Sequence, residues 1–138
     1  MQTTVDKIQD LNTWPSLSGY LDYITDSRMK EYMRPYVGQT EAPPIRISSH
    51  IRMMKLGVEN TLHYFIFNKG REFRSWTFIR LWSIRDDILR DSEHNRERAV
   101  FLQNLLETLF CMVFQSLPGS VLQNYFGPVL FQMARTQI

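Results

Sequence analysis

The sequence is poor in cysteine. Among its 138 residues there is a single cysteine, Cys111, so no disulfide can form within the chain. A lone cysteine is typical of proteins from reducing compartments. Residues 1–14 contain no long apolar run and include Asp6 and Asp10, so we expect no secretory signal. We expect one domain, residues 1–138, with about 15 frayed residues at its N-terminus.

The sequence also lacks the motifs of catalytic and metal sites. Its three histidines are isolated: His50, His63 and His94. Cys111 has no visible neighbour that would activate its thiol. The adjacent carboxylates at 86–87 would not face each other on a helix. The basic loop at 68–71 lacks the phosphate-loop pattern. We therefore predict no catalytic residue, no metal, no cofactor and no enzymatic activity.

A strong excess of charge is absent too. The formal net charge is +2, but it is unevenly distributed along the chain. Residues 46–98 hold eleven basic and seven acidic side chains, whereas residues 99–138 hold one of each. Because acids are interleaved with bases, this pattern is weak evidence for nucleic-acid binding. We favour solvated helix faces as its explanation.

The spacing of the apolar residues predicts an all-α protein. Five or six helices would form one compact bundle around a central apolar helix. The predicted helices span residues 17–34, 48–70, 72–90 and 92–116, and a further helix follows a turn at 117–119. A short helix over 3–13 is a weaker prediction. Residues 35–46, with three prolines and one glycine, are predicted to form a loop.

The stretch from Leu109 to Met133 contains no charged residue. A membrane span needs about 20 unbroken apolar residues. The apolar run from Val100 to Leu117 contains polar residues and is broken by Pro118-Gly119. We therefore predict no transmembrane segment and place residues 100–117 at the centre of the bundle. The seven methionines and the aromatic residues either fill the core or form a partner surface.

Three features of the C-terminal half resemble a known family. Leu56-Gly57 opens an amphipathic segment that leads to Lys69-Gly70-Arg71, and a predicted apolar helix that holds Trp82 follows. The long apolar segment then ends in Leu117-Pro118. After it come Val121-Leu122, Gly127 and Pro128-Val129-Leu130. In these features residues 56–133 resemble the C proteins of paramyxoviruses, especially the morbillivirus-like members, which are accessory proteins read from an alternative frame of the phosphoprotein gene.

The resemblance implies a helical, non-enzymatic viral accessory protein in the host cell cytoplasm. Such a protein would act by protein–protein interaction, regulating viral RNA synthesis through the polymerase complex and antagonising innate interferon signalling. Some members of the family also recruit host budding factors. A homodimer is left open.

A partner-binding site is predicted from the residues themselves. Tryptophan and arginine dominate interface hot spots. We expect a basic rim with an aromatic anchor, formed by Lys69, Arg71, Arg74, Trp76 and Arg80. Ordinary surface arginines and a core tryptophan are the alternative explanation. Two other functions are left open: a Bcl-2-like helical protein that binds an amphipathic peptide, and a mildly basic RNA-binding helical module.

Overall fold

The protein is an α/β structure with one antiparallel sheet. The computed structural model describes residues 14–85, 87, 92–114 and 116. Three strands and three helices are found there: β1 Ser18–Asp26, β2 Met29–Thr40, α1 Pro43–Lys55, α2 Leu62–Lys69, β3 Arg74–Ser83 and α3 Glu93–Val113. The strand order is β2–β1–β3, with β1 in the centre. The prediction of an all-α bundle of five or six helices is wrong.

The predicted helix over residues 17–34 is a β-hairpin. Strand β1 is buried on both faces, so its apolar residues do not alternate with polar ones, and their spacing resembles that of a helix. The hairpin turns at Ser27 and Arg28. The Asp26 carboxylate accepts hydrogen bonds from the Arg28 backbone nitrogen at 3.1 Å and from Arg28 Nε at 2.8 Å, which fixes the turn.

The predicted helix over residues 72–90 is replaced by β3, within the part of that range that the structure describes. Trp76 and Phe78 are buried on one face of the strand and pair opposite Ile24 and Asp22 of β1. Trp82, which the family resemblance placed in a helix, also lies in β3. The helical fold implied by the resemblance is therefore wrong for this segment.

Residues 35–46 are not a loop. Strand β2 continues to Thr40, and Pro35 is tolerated because β2 is an edge strand. Helix α1 then begins at Pro43. Proline is tolerated in the first turn of a helix, because the backbone N–H that it lacks would have no partner within the helix there.

The predicted helix over 48–70 is in fact two helices. Gly57 adopts a φ of 70° after the end of α1, and the Thr61 side chain caps the start of α2.

Helix α3 agrees closely with its predicted range of 92–116. It begins after Ser92, whose hydroxyl accepts a hydrogen bond from the Asn95 backbone nitrogen. It is not the centre of a bundle, however. One side of α3 packs on the sheet through Cys111 and Phe110, while other apolar residues of the helix remain exposed.

The described elements form three layers. Helices α1 and α2 cover one face of the sheet, the α1/α2 face, where nine buried residues including Ile24, Ile47 and Trp76 form the main core cluster. Helix α3 covers the opposite face, the α3 face, around Leu21 and Val37. The helices predicted over 3–13 and after 119 lie outside the described residues. No helix in the described ranges is long and apolar enough to cross a membrane.

Candidate functional site

Polar side chains are buried between the sheet and helices α1 and α2. Tyr20 and Asp22 of β1 are both 0% exposed. The group around them, called the polar cluster below, consists of Tyr20, Asp22, Tyr36, Arg46, His50, His63 and Tyr64. Trp76 contacts this cluster from β3. Buried ionisable groups are costly unless they are paired, so their concentration on one face marks a candidate site.

Asp22 and His63 form a contact between an acidic side chain and an imidazole in the buried part of the cluster. His63 is the second residue of α2, and its Nε2 lies 2.8 Å from Asp22 Oδ1. Burial raises the pKa of Asp22, and the contact with His63 opposes this effect. Neither Asp22 oxygen has a well-aligned hydrogen bond among the described residues. The contact therefore places an acidic side chain directly beside the His63 ring, without a well-aligned hydrogen bond between the two groups.

His50 is held between two tyrosine hydroxyls. Its Nε2 lies 3.0 Å from the Tyr20 hydroxyl, and its Nδ1 lies 2.7 Å from the Tyr64 hydroxyl. Burial lowers the pKa of His50 to about 4, and the positive charge of Arg46 acts in the same direction. His50 is therefore neutral at pH 7, with one ring nitrogen donating and the other accepting. Both ring nitrogens are used in the contacts with Tyr20 and Tyr64.

Arg46 and Tyr36 lie on the solvent side of the cluster. Arg46 is exposed and its Nε donates to the Tyr20 hydroxyl at 3.4 Å. Tyr36 is half-buried, and burial together with the charge of Asp22 raises its pKa. The Tyr36 and His63 rings are 5.4 Å apart. A guanidinium, a phenol and an imidazole are thus gathered at one rim.

Gly38 allows the cluster to form. It pairs opposite Tyr20 in the sheet, and a Cβ at this position would lie 2.8 Å from the Tyr20 hydroxyl oxygen. Any other residue would push the phenol away from His50. A glycine inside a strand often marks such a close approach. This glycine, two residues after Tyr36, is the one local signal in the sequence that could have pointed to the site.

The rest of the cluster could not be found by inspecting short motifs. Asp22, His50 and His63 are far apart in the sequence. They meet only because β1 is paired with β2 and β3, and because α1 and α2 both pack on the same face. For this reason the two histidines look isolated in the sequence. In the described residues no group of three or more metal-ligating side chains is present.

Only part of the predicted partner-binding site is brought together. Arg71, Arg74 and Trp76 line a cavity of about 200 Å³ next to the hairpin turn. Trp76 is only 2% exposed, so it belongs to the core. Arg74 donates to Asp26 at 3.1 Å and to the Ile66 carbonyl.

The other two predicted residues lie elsewhere. Lys69 contacts the ring of Phe65, with its Nζ 5.2 Å from the ring centroid. The Arg80 guanidinium lies 5.6 Å from the ring centroid of Trp14. The assignment of these five residues to a partner site stays a prediction.

Comparison of the chain with family models, with curated proteins and with solved structures finds no match in any of the three.

Proposed function

We propose that the polar cluster is a hydrolytic site that acts on the phosphodiester of a nucleic acid. The contact between His63 and Asp22 at 2.8 Å in a buried setting carries this proposal. A histidine paired with a carboxylate is the arrangement that general-base catalysis uses. The substrate class follows from Arg46, because the planar guanidinium matches the geometry of a phosphate.

Each exposed group of the cluster has a role in this reaction. His63 accepts a proton from the attacking water while Asp22 stabilises the resulting imidazolium. The water oxygen bonds to phosphorus, and the bond from phosphorus to the leaving oxygen breaks. The Tyr36 hydroxyl donates its proton to the leaving oxygen, and Arg46 stabilises the charge on the non-bridging oxygens. Proton exchange with solvent then restores His63 and Tyr36.

The location of the site supports a large substrate. Tyr36 and His63 are partly exposed and Arg46 is exposed, so the reactive groups lie at a surface rim that a polymer could reach. Residues 46–98 carry the basic excess of the chain. The sequence-based alternative of an RNA-binding module is compatible with this proposal, whereas the prediction that the chain is not an enzyme opposes it.

The decisive experiment is a cleavage assay with labelled DNA and RNA, with and without added Mg²⁺. We expect His63→Ala and Arg46→Ala to reduce the cleavage rate by about 100-fold or more. His94→Ala and Arg98→Ala are matched controls, because both residues are exposed on α3. They should retain the rate of the unaltered protein.

Two results would contradict the proposal. The first is an absence of cleavage by the unaltered, folded protein with either nucleic acid. The second is a cleavage activity that His63→Ala and Arg46→Ala leave intact, since this would indicate a contaminating nuclease. In the first case the prediction of a non-enzymatic protein would be favoured.

A second candidate function is the binding of a partner protein, and the cavity beside Arg71 favours it. The cavity has apolar walls and a lining in which basic side chains outnumber the one carboxylate. The apolar walls are Ile51, Met54 and Phe67, and the charged lining is Lys55, Arg71, Arg74 and Glu72. Such a cavity suits an acidic peptide with a bulky apolar side chain. The family resemblance implies a viral accessory role and a location in the host cytoplasm. Both remain proposals, and both belong with this second candidate function.

Partner binding can be tested by changing Arg71 alone. Arg71→Glu should weaken binding to a recombinant viral polymerase–phosphoprotein complex with little change in melting temperature. Arg52→Glu is the control, because Arg52 is an exposed residue of α1 that does not line the cavity. Arg74 is unsuitable for this test because it pairs with Asp26. Equal binding by Arg71→Glu and the unaltered protein would exclude this cavity as the binding site.

A further inference from the structure

The cavity next to the hairpin turn is lined by aromatic rings. Phe67 and Trp76 are buried in its walls, with ring centroids 5.5 Å apart. Phe73 also lines it and is 43% exposed, and the Arg28 guanidinium lies 4.4 Å from the Phe73 ring centroid. A volume of about 200 Å³ suits one planar ring system better than a longer ligand. Aromatic and guanidinium planes of this kind stack on unpaired nucleobases.

The polar part of the lining can both donate and accept hydrogen bonds. Arg71 and Lys55 are donors, the Glu72 carboxylate is an acceptor, and the hydroxyls of Ser27 and Ser75 can act as either. Arg71 is held at the cavity because its Nη2 donates to the Lys55 carbonyl at 3.0 Å. The edges of a nucleobase carry both N–H donors and acceptors, so both kinds of group are matched. An acidic peptide would match only the cations and would be repelled by Glu72.

The cavity lies one helical turn away from the polar cluster on both helices. Met54 follows His50 by four residues on α1, and Phe67 follows His63 by four residues on α2. Four residues rise about 6 Å along a helix axis, which is on the order of one nucleotide step along an extended strand. Trp76 contacts both places, because it lines the cavity and its ring centroid lies 4.5 Å from that of His63. A base in the cavity would therefore have its neighbouring phosphodiester near His63.

We propose that this cavity is a subsite for one unpaired nucleobase, next to the phosphodiester that the polar cluster cleaves. The inference rests on the proposed hydrolytic function and adds the kind of substrate. A nucleic acid with an unpaired nucleotide is preferred over a fully paired duplex. A paired base would have to leave the duplex before it could enter the cavity, and this step costs least where the base is already unpaired.

Binding to three labelled DNA duplexes, measured by fluorescence anisotropy, tests this subsite. One duplex is fully paired, the second carries one unpaired adenosine, and the third carries an abasic nucleotide in place of that adenosine. All proteins carry Arg46→Ala, which prevents cleavage during the measurement and does not line the cavity. We expect the duplex with the unpaired adenosine to bind at least about five-fold more tightly than the other two. Phe73→Ala should remove this difference, because it removes a stacking plane.

Phe65→Ala is the matched control for Phe73→Ala. Phe65 is 41% exposed and has a cation near its ring, with the Lys69 Nζ 5.2 Å from the centroid. It resembles Phe73 in residue type, exposure and cation contact, but it does not line the cavity. The Phe65→Ala protein should therefore keep the preference for the unpaired adenosine.

Three results would overturn the subsite. The first is equal binding to all three duplexes, even if the unaltered protein cleaves nucleic acid. The second is an equal loss of preference in Phe73→Ala and Phe65→Ala. The third is a Phe73→Ala protein that keeps the DNA preference but binds the polymerase–phosphoprotein complex less tightly, since the cavity would then belong to the second candidate function.

Failure of the hydrolytic function has a different signature. In that case the preference for the unpaired adenosine is present and is lost in Phe73→Ala, but the protein with Arg46 intact does not cleave the same duplex. This result would support the base subsite and reject hydrolysis by the polar cluster.

Discussion

The two faces of the sheet bury different kinds of side chain. Successive residues of β1 point to opposite faces, so Asp22 is directed toward α1 and α2 while its neighbour Leu21 is directed toward α3. The α1/α2 face holds an ionisable pair inside a large aromatic core. The α3 face holds a smaller apolar cluster around Leu21, Val37 and Cys111.

Polar groups on the α3 face are neutral or have partners. Gln103 donates to the Ser18 carbonyl at 3.4 Å. Gln39 donates to Asn104 at 2.6 Å and to Glu107 at 2.9 Å. Among the described residues, the Trp82 indole nitrogen and the Ser116 hydroxyl are buried without a hydrogen-bond partner, and both groups are neutral. On the α1/α2 face, in contrast, Asp22 is fully buried and lacks a well-aligned hydrogen bond. A group of this kind lowers stability, which is the reason that Asp22 is assigned to the proposed site.

The largest expected difference between the faces concerns their tryptophans. Trp76→Ala should cost about 3–5 kcal/mol of unfolding free energy, because the ring is buried among aromatic side chains. Trp82→Ala should cost less, since Trp82 is only half-buried. Urea denaturation of both variants measures the difference. A larger loss for Trp82→Ala would show that the α3 face is the more important part of the core, and an equal loss would show that the two faces contribute alike.

The sequence predicted the elements whose signals are local. Helix α3 is predicted because a capping residue, Asp91 or Ser92, precedes a long helical pattern, and the structure places the cap at Ser92. Strand β1 was missed because it is the central strand and is buried on both faces, which removes the alternation that identifies a strand. The types of its residues indicate a strand better than their spacing does. Tyr20, Ile24 and Thr25 are aromatic or β-branched, and such residues favour strands.

The candidate site was harder to predict than the fold. The pairing of Asp22 with His63 depends on a contact between β1 and α2, and nothing in the local sequence encodes that contact. Arg74 was predicted to bind a partner, but the structure shows it paired with Asp26 across the hairpin turn. In both cases a partner that is distant in the sequence decides the role of the side chain.

The next largest effect is a pH dependence that belongs to the α1/α2 face. The pKa of His50 falls from 6.5 to about 4 because of burial. Between these values the unfolded chain binds more protons, so stability falls as the pH decreases from 6.5 to 4. The full loss is about 3 kcal/mol. The raised pKa of Asp22 acts in the opposite direction, because stability from its neutral form is lost as the pH rises.

His50→Gln isolates the contribution of His50, because glutamine keeps a donor and an acceptor but does not titrate in this range. The slope of unfolding free energy against pH should become flatter between pH 4 and 6.5 in this variant. His94→Gln is the control on α3, where the side chain is 65% exposed, and it should leave the slope unchanged. An unchanged slope in His50→Gln would mean that His50 takes up protons in the folded state.

Two glycines offer a smaller but more specific comparison. A Cβ at Gly38 would lie 2.8 Å from the Tyr20 hydroxyl, and a Cβ at Gly19 would overlap the Trp82 ring. Each change to alanine should cost about 1–3 kcal/mol through overpacking. Only Gly38→Ala displaces a residue of the polar cluster, so only it should also lower nucleic-acid cleavage. Equal cleavage rates in the two variants would show that the position of Tyr20 does not affect cleavage.

The smallest effect is expected at a charged contact between the layers. Arg96 of α3 lies 3.3 Å from Glu41, and both side chains are more than half exposed. Exposed ion pairs contribute about 0.2–1 kcal/mol and weaken with salt. A double-mutant cycle with Arg96→Ala and Glu41→Ala should therefore give a coupling energy below about 0.5 kcal/mol. If the coupling exceeded about 1 kcal/mol, α3 would depend on charge for its attachment, and the contrast between an apolar α3 face and an ionic α1/α2 face would have to be abandoned.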